Sequence, residues 1–455
     1  MSVDTIITNC KIARHDGILN AGLAIDQGKV VAVATDAELP SADNTIDAKG
    51  NYVIPGVVDA HVHLEYPPGV DPQSNIKRET RACAAAGCTT IVHLLAPADD
   101  ILDKANEFVG FYEKHGFVDL ALSARIYTRE NIKQIRSLYD FGIINVKLLL
   151  PYKGGEAVWK GRVGGIDDGI IYLTFKEVGR LAKEGCKTFV RVHCENAEIF
   201  FKMKEEFLDQ GTEPPSWNEV RPRVCEEEAM RKCLFLAEVT ECPIYIVHMT
   251  IKEGVALVNR ARAAGVNVVA ETCVQYLTLN TDSVDRVLSK INPPIREPED
   301  NKALWQALRD GTLDVVATDH APVPMELKTN LWDATPGIPG AEIFLPLMLS
   351  EGVNKGRISL EKLVEVCCYN PARQFGLAPR KGTLSIGSDA DLVLIDLNRE
   401  AEVPPKPVYS DTDYSIIAGR KIKGWPIMTL LRGRTVMQDG KVVAETGDGR
   451  YLPGR

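Results

Sequence analysis

VIPGVVDAHVHLE, residues 53–65, carries an apolar, β-branched stretch directly into a pair of histidines, His61 and His63. Strand alternation puts the two imidazoles on the same side. Alone, a His-x-His pair fits packing as well as it fits metal binding. Its meaning comes from what repeats along the chain. Apolar runs near 52–58, 89–95, 117–123, 143–150, 187–193, 243–248, 266–271 and 313–318 alternate with helical patterns such as NIKRETRACAAAG (75–87), LTFKEVGRLAKEG (173–185) and NKALWQALRDG (301–311), many of which stop at glycine. Eight strands separated by crossover helices predict an α/β fold of the (β/α)8, or TIM-barrel, type, with a doubly wound open sheet as the alternative.

The chain ends read differently. Residues 3–50 and the stretches TLSIGSDADLVLIDL (383–397) and TVMQDGKVVAE (435–445) show period-two apolar patterns around Asp-Gly and Gln-Gly turns. Residues 1–54 and 376–455 are therefore expected to form one composite β-sandwich, with 55–375 as the barrel.

A chain of 455 residues with 45% hydrophobic and 25% charged residues suits a barrel with a smaller attached domain. The net charge of -9 and the scattered Lys and Arg argue against nucleic acid and for a small-molecule partner. Neither a secretory leader pattern nor a membrane-spanning run is legible, and the eleven cysteines lack C-x-x-C pairing, so a soluble cytoplasmic protein with buried free thiols is expected.

Of eight histidines, four end predicted strands: His61, His63, His193 in FVRVHCEN and His248 in IYIVHMT. Asp319, in VVATDHAP, ends the eighth. Strand C-termini converge on one face of a barrel, so these five meet there. Imidazoles with a carboxylate suit Zn²⁺-like ions, and five ligands exceed what one catalytic zinc takes, which favours two metals. Lys147, in IINVKLLLPYKG, is aimed at the same rim. Spacing alone leaves open whether it is a snorkelling surface lysine or a neutral amine that adds CO2 to form a bridging carbamate. His320 should point away from the site, and His93 is read as a packed or supporting residue.

HVHLE, Lys147 with a Tyr five residues on, VHCEN, ETCVQYL, NPPIR, ATDHAP and RKGTLSIGSDADLVLID together resemble the amidohydrolase superfamily, and within it the cyclic amidohydrolase group of dihydropyrimidinases, hydantoinases, allantoinases and dihydroorotases. That resemblance implies two divalent ions, Zn²⁺ with Mn²⁺ or Co²⁺ as alternatives. His61 and His63 would hold the more buried ion, His193 and His248 the more exposed one, with carboxylated Lys147 bridging both and Asp319 completing the coordination of the more buried ion. It implies a hydrolase that opens a cyclic amide or imide ring by attack of a shared hydroxide. Asp319 would then shuttle the proton and Tyr152 would bind the oxyanion. It also implies a homotetramer or dimer.

Dihydroorotases follow His-x-His with an Arg that grips the substrate carboxylate, whereas this chain has Leu64 and Glu65. A carboxylate facing a carboxylate is unfavourable, so the hydantoinase or dihydropyrimidinase style fits better, with an allantoinase- or dihydroorotase-like ureide hydrolase as the alternative. Departures remain around the expected ring pocket of Leu64, Tyr152, Asn292, Trp159, Pro336 and Gly337: Asn292-Pro293-Pro294 and Thr335-Pro336-Gly337 replace the usual Ser-Pro-Pro and Pro-Asn-Gly, and the loop 153–169 is long and adds Trp159. A non-enzymatic, dihydropyrimidinase-related scaffold is the reading from another class. The full ligand set argues against it.

Overall fold

The computed structural model describes residues 2–153, 165–445 and 447–455. At its centre lie eight parallel strands in sequential order: β1 (Val57–Val62), β2 (Cys88–Leu94), β3 (Asp119–Arg125), β4 (Asn145–Leu149), β5 (Phe189–His193), β6 (Ile244–Ile246), β7 (Val268–Cys273) and β8 (Val315–Ala317). Nearly every residue of these strands is buried, as it must be when helices cover one face and the barrel interior fills the other. The crossover helices begin where the sequence supplies caps. The side chains of Asp71, Asp100 and Asp167 each accept the backbone N–H three residues on. Gly142 and Gly311 adopt the left-handed stop. An open doubly wound sheet would reverse strand order at a switch point, and no reversal occurs.

The barrel closes through one backbone bridge backed by side chains. Between β8 and β1 only an isolated bridge joins Val62 to His320, with His63 N donating to His320 O at 2.8 Å. The buried Asp59 carboxylate completes the seam by accepting from Thr318 N (3.1 Å) and Thr318 Oγ1 (2.6 Å). Burial raises the Asp59 pKa to about 7, against the pull of those hydrogen bonds.

The expected first run, 52–58, is in fact two strands. Tyr52–Pro55 leaves for the terminal sheet, where it pairs antiparallel with Leu392–Ile395, and the barrel strand starts at Val57. Gly56 marks the change of direction. A Cβ there would lie 2.1 Å from Thr89 Oγ1, so a continuous apolar run conceals a corner that only glycine fits.

Strands from both chain ends build a four-stranded and a seven-stranded sheet. Ile7, Leu23, Ile25 and Val30 of the first pack against Val53, Leu392, Leu394 and Leu430 of the second. Two-residue turns at Gln27-Gly28 and Asp439-Gly440, both with positive φ, fix their hairpins. Buried Lys381 ties the sheets to the barrel by pairing with Asp119 at the start of β3 (2.6 Å), Asp389 (2.9 Å) and Asp391 (2.5 Å). Burial alone would lower the lysine's pKa, but the carboxylates hold it above the ordinary range. All eleven cysteines are free thiols, ten of them buried. Among the described residues no helix is long and apolar enough to cross a membrane.

Candidate metal centre

The C-terminal strand ends bring His61, His63, Lys147, His193, His248 and Asp319 to one cavity, together with Tyr152, Asn292, Pro336 and Gly337. His61, His63 and Asp319 each offer one ligand atom, all within 4.8 Å of one another. His63 Nε2 lies 2.9 Å and His61 Nε2 3.3 Å from Asp319 Oδ1, and Lys147 Nζ is 3.1 Å from His61 Nε2. The rings of His61 and His248 are 5.4 Å apart, and those of His248 and His193 4.3 Å.

The chain orients these side chains from behind. Glu271, fully buried on β7, places Oε1 2.8 Å from His61 Nδ1 and accepts His248 N at 3.1 Å, while its Oε2 accepts the Tyr245 hydroxyl at 2.7 Å. A carboxylate on one ring nitrogen of His61 leaves Nε2 as the ligand atom. Glu195 Oε2 does the same at 2.6 Å for His193 Nε2, and Arg221 pairs with Glu195 at 3.0 Å. Asp319 is pinned on both sides, Thr318 by Asp59 and His320 by Glu79 at 2.8 Å. His248 and Asp319 both have positive φ (39° and 49°), a conformation rare outside glycine that is held here by those neighbours.

The donor set fits a cation. Buried His248 Nδ1 has no hydrogen-bond partner among the described residues. Burial, with Lys147 as the next cause, drives His61 well below the ordinary histidine range, and burial with His193 does so for His248. Both are therefore held as neutral imidazoles, the form that can ligate a cation. Lys147 is likewise driven well below the ordinary lysine range by burial and by Arg191, which leaves a neutral amine able to add CO2. Of the four imidazoles His63 is the most exposed, and His193 and His248 are as buried as His61. Burial of the ligands therefore does not rank one pair as the more exposed.

The remaining sequence candidates divide. Tyr152 stands edge-on to His193 at 5.8 Å. Asn292 commits its carbonyl to Trp217 Nε1 (2.8 Å), so the long segment before β6 reaches the cavity wall. Leu64 does not line the cavity: as the neighbour of His63 it turns into the apolar core, and its N–H donates to His93 Nδ1 at 3.1 Å. Trp159 lies outside the described residues. His320 points away from the centre, its Nδ1 accepting Gly340 N at 3.1 Å. Sequence reasoning missed Glu271, Glu195, Tyr66 and Arg125. The signal for Glu271 and Arg125 was a charge placed in an otherwise apolar buried strand.

The model of the amidohydrolase family matches residues 52–436. The chain belongs to that family. This amidohydrolase is 33% identical over 461 residues to the L-hydantoinase of Paenarthrobacter aurescens, covering 99% of this chain and 98% of the relative. It is 32% identical to the allantoinase of Enterococcus faecalis, over 99% and 100% of the two chains. Among solved structures, the L-hydantoinase (dihydropyrimidinase) from Arthrobacter aurescens superposes with a TM-score of 0.91 at 33% identity, covering 99% of this amidohydrolase and all of that chain.

Proposed function

We propose that this amidohydrolase opens a cyclic amide or imide ring of the hydantoin or dihydropyrimidine type. The observation that carries the reading is the convergence of His61, His63 and Asp319 beside the depressed amine of Lys147, in a chain alike over its length to a hydantoinase. His61, His63 and Asp319 would hold one divalent ion and His193 and His248 a second, with Lys147 joining them as a carbamate. Two such ions, Zn²⁺ in preference to Mn²⁺ or Co²⁺, supply Lewis acidity toward a carbonyl and acidify water near neutral pH.

The chain's own groups do the rest. Asp319 takes the proton of the attacking water and returns it to the ring nitrogen as the C–N bond breaks, because an amide nitrogen leaves poorly unless protonated. The Tyr152 hydroxyl donates to the carbonyl oxygen as charge builds there. Glu271 and Glu195 keep His61 and His193 in place. Asn292, Pro336 and Gly337 form the wall against the ring. Residues 55–375 act as the catalytic barrel, and 1–54 with 376–455 as its sandwich. Free thiols throughout support a reducing cytoplasm, and the working unit is a homotetramer or dimer.

The test is a hydrolysis screen of hydantoin, dihydrouracil, allantoin, dihydroorotate, succinimide and glutarimide. Turnover of hydantoin or dihydrouracil is expected. Turnover of allantoin or dihydroorotate alone would select the ureide reading, and inertness on all six would refute the proposal.

A further inference from the structure

β3 ends at Arg125, whose Cα pairs in register with that of Lys147 on β4. Paired residues of neighbouring strands project to the same face, so Arg125 and Lys147 share the barrel interior. Arg125 lines the catalytic cavity with Tyr66, Tyr152 and Asn292 and is only 9% exposed. Among the described residues its buried Nε has no hydrogen-bond partner and no carboxylate pairs with the guanidinium.

Arg191 and Arg221 also keep buried nitrogens without a hydrogen-bond partner, but each of the other deeply buried arginines has a carboxylate beside it. Arg191 donates to Ala60 O and lies 3.5 Å from Glu271, Arg221 pairs with Glu195, and Arg296 reaches Glu226, Asn218 and the Arg221 carbonyl. A guanidinium taken out of water without an anion is strongly unfavourable, so a cavity that keeps one is built for a ligand that brings the anion. The chemistry of Arg selects a carboxylate, which its planar fork can bind through two parallel hydrogen bonds.

The segment after His63 does not repel a charged ring. Glu65 does not line the cavity. It pairs with Lys104 at 3.3 Å, and no carboxylate from this segment faces a ring substituent. The anions of the site itself are Asp319, which is turned to His61 and His63, and a carbamate on Lys147, whose Nζ is turned to His61 and on which Arg191 acts more strongly than Arg125 does. Beside Arg125 in the cavity wall, the Tyr66 hydroxyl donates to Pro336 O.

We propose that Arg125 determines specificity by pairing with a carboxylate substituent carried by the cyclic amide substrate. The proposal rests on the ring-opening function above. Its test compares 5-(carboxymethyl)hydantoin with the uncharged 5-(carbamoylmethyl)hydantoin on the metal-loaded wild type, Arg125→Gln and Arg125→Lys. The readouts are kcat/KM, calorimetric binding and metal content.

The wild type should favour the carboxylate ring by on the order of 10²-fold. Arg125→Gln should bring that ratio near one, and Arg125→Lys should keep part of it. Equal wild-type rates on the two rings would overturn the proposal. So would an Arg125→Gln variant that keeps the wild-type ratio while losing metal, since the guanidinium would then serve Lys147. Arg125-dependent binding of the carboxylate ring without turnover would remove the hydrolase reading and leave this one standing. If neither ring binds, this proposal is overturned, while turnover of hydantoin would leave the ring-opening reading standing.

Discussion

Replacing Glu271 separates its structural load from its effect on the ligands. The carboxylate meets His61 Nδ1, His248 N and the Tyr245 hydroxyl, and it is the nearest anion to Arg191, with both partners of that pair at zero exposure. Glu271→Ala leaves a buried guanidinium without its anion, a change worth about 3–5 kcal/mol. It also strands a buried phenol, worth about 1–3 kcal/mol. The two share one site and will not simply add, so a loss of roughly 4–5 kcal/mol is expected in urea denaturation of the metal-free protein. Glu271→Gln keeps the shape and an acceptor but drops the charge, with an expected loss of about 2 kcal/mol. Because the ring of His61 is then held less firmly and is less basic, metal affinity in chelator competition should fall about 10–100-fold. A Glu271→Ala protein with wild-type stability, or a Glu271→Gln protein with unchanged metal affinity, would refute the reasoning.

Asp319→Asn should keep the fold, seen by circular dichroism, while abolishing ring opening, and Tyr152→Phe should lower kcat by about two orders of magnitude. Retained full activity in either would remove that residue from the chemistry. Lys328, buried and beside Lys290, is lowered by burial from 10.5 to about 7. Between those values the unfolded chain binds the extra proton, so the wild type gains stability as pH rises from 7 toward 10, by on the order of 2–3 kcal/mol at pH 9. Lys328→Met should lack that gain in denaturation curves at pH 7 and 9, and parallel pH slopes would count against it. Gly56→Ala places a methyl 2.1 Å from Thr89 Oγ1 and should lower stability by about 2–3 kcal/mol, visible as a reduced Tm. An unchanged Tm would mean the corner is not tight.

Much of the site was legible because a parallel barrel translates strand ends into neighbours. His61, His63, His193, His248, Lys147 and Asp319 stand 258 residues apart at the extremes, yet each lies within or at the end of an apolar run, and the fold leaves them one face on which to meet. Helix ends were readable from glycine stops, whereas the aspartate caps at Asp71, Asp100 and Asp167 emerged from the structure. The corner at Gly56 was not, since apolar content is the same on both sides and the two strands differ only in partner. Glu271 and Arg125 were overlooked for a different reason: a charge inside a buried strand reads as misfit until its surroundings are known. For Glu271 those surroundings are His61, Tyr245 and Arg191. For Arg125 they are an open cavity. Glu65 and Leu64 follow the histidines so closely that they were read as facing the ring, but the chain turns after His63, where Glu65 has a φ of 57°.

The most direct test of the account is the metal content of the purified protein, by inductively coupled plasma mass spectrometry after loading with Zn²⁺ and removal of excess ion. Two ions per chain are expected, falling toward one in His193→Ala, with ring opening of hydantoin lost on chelation and regained on reloading. A chain that holds no ion, and opens or ignores the ring regardless of added metal, would contradict it.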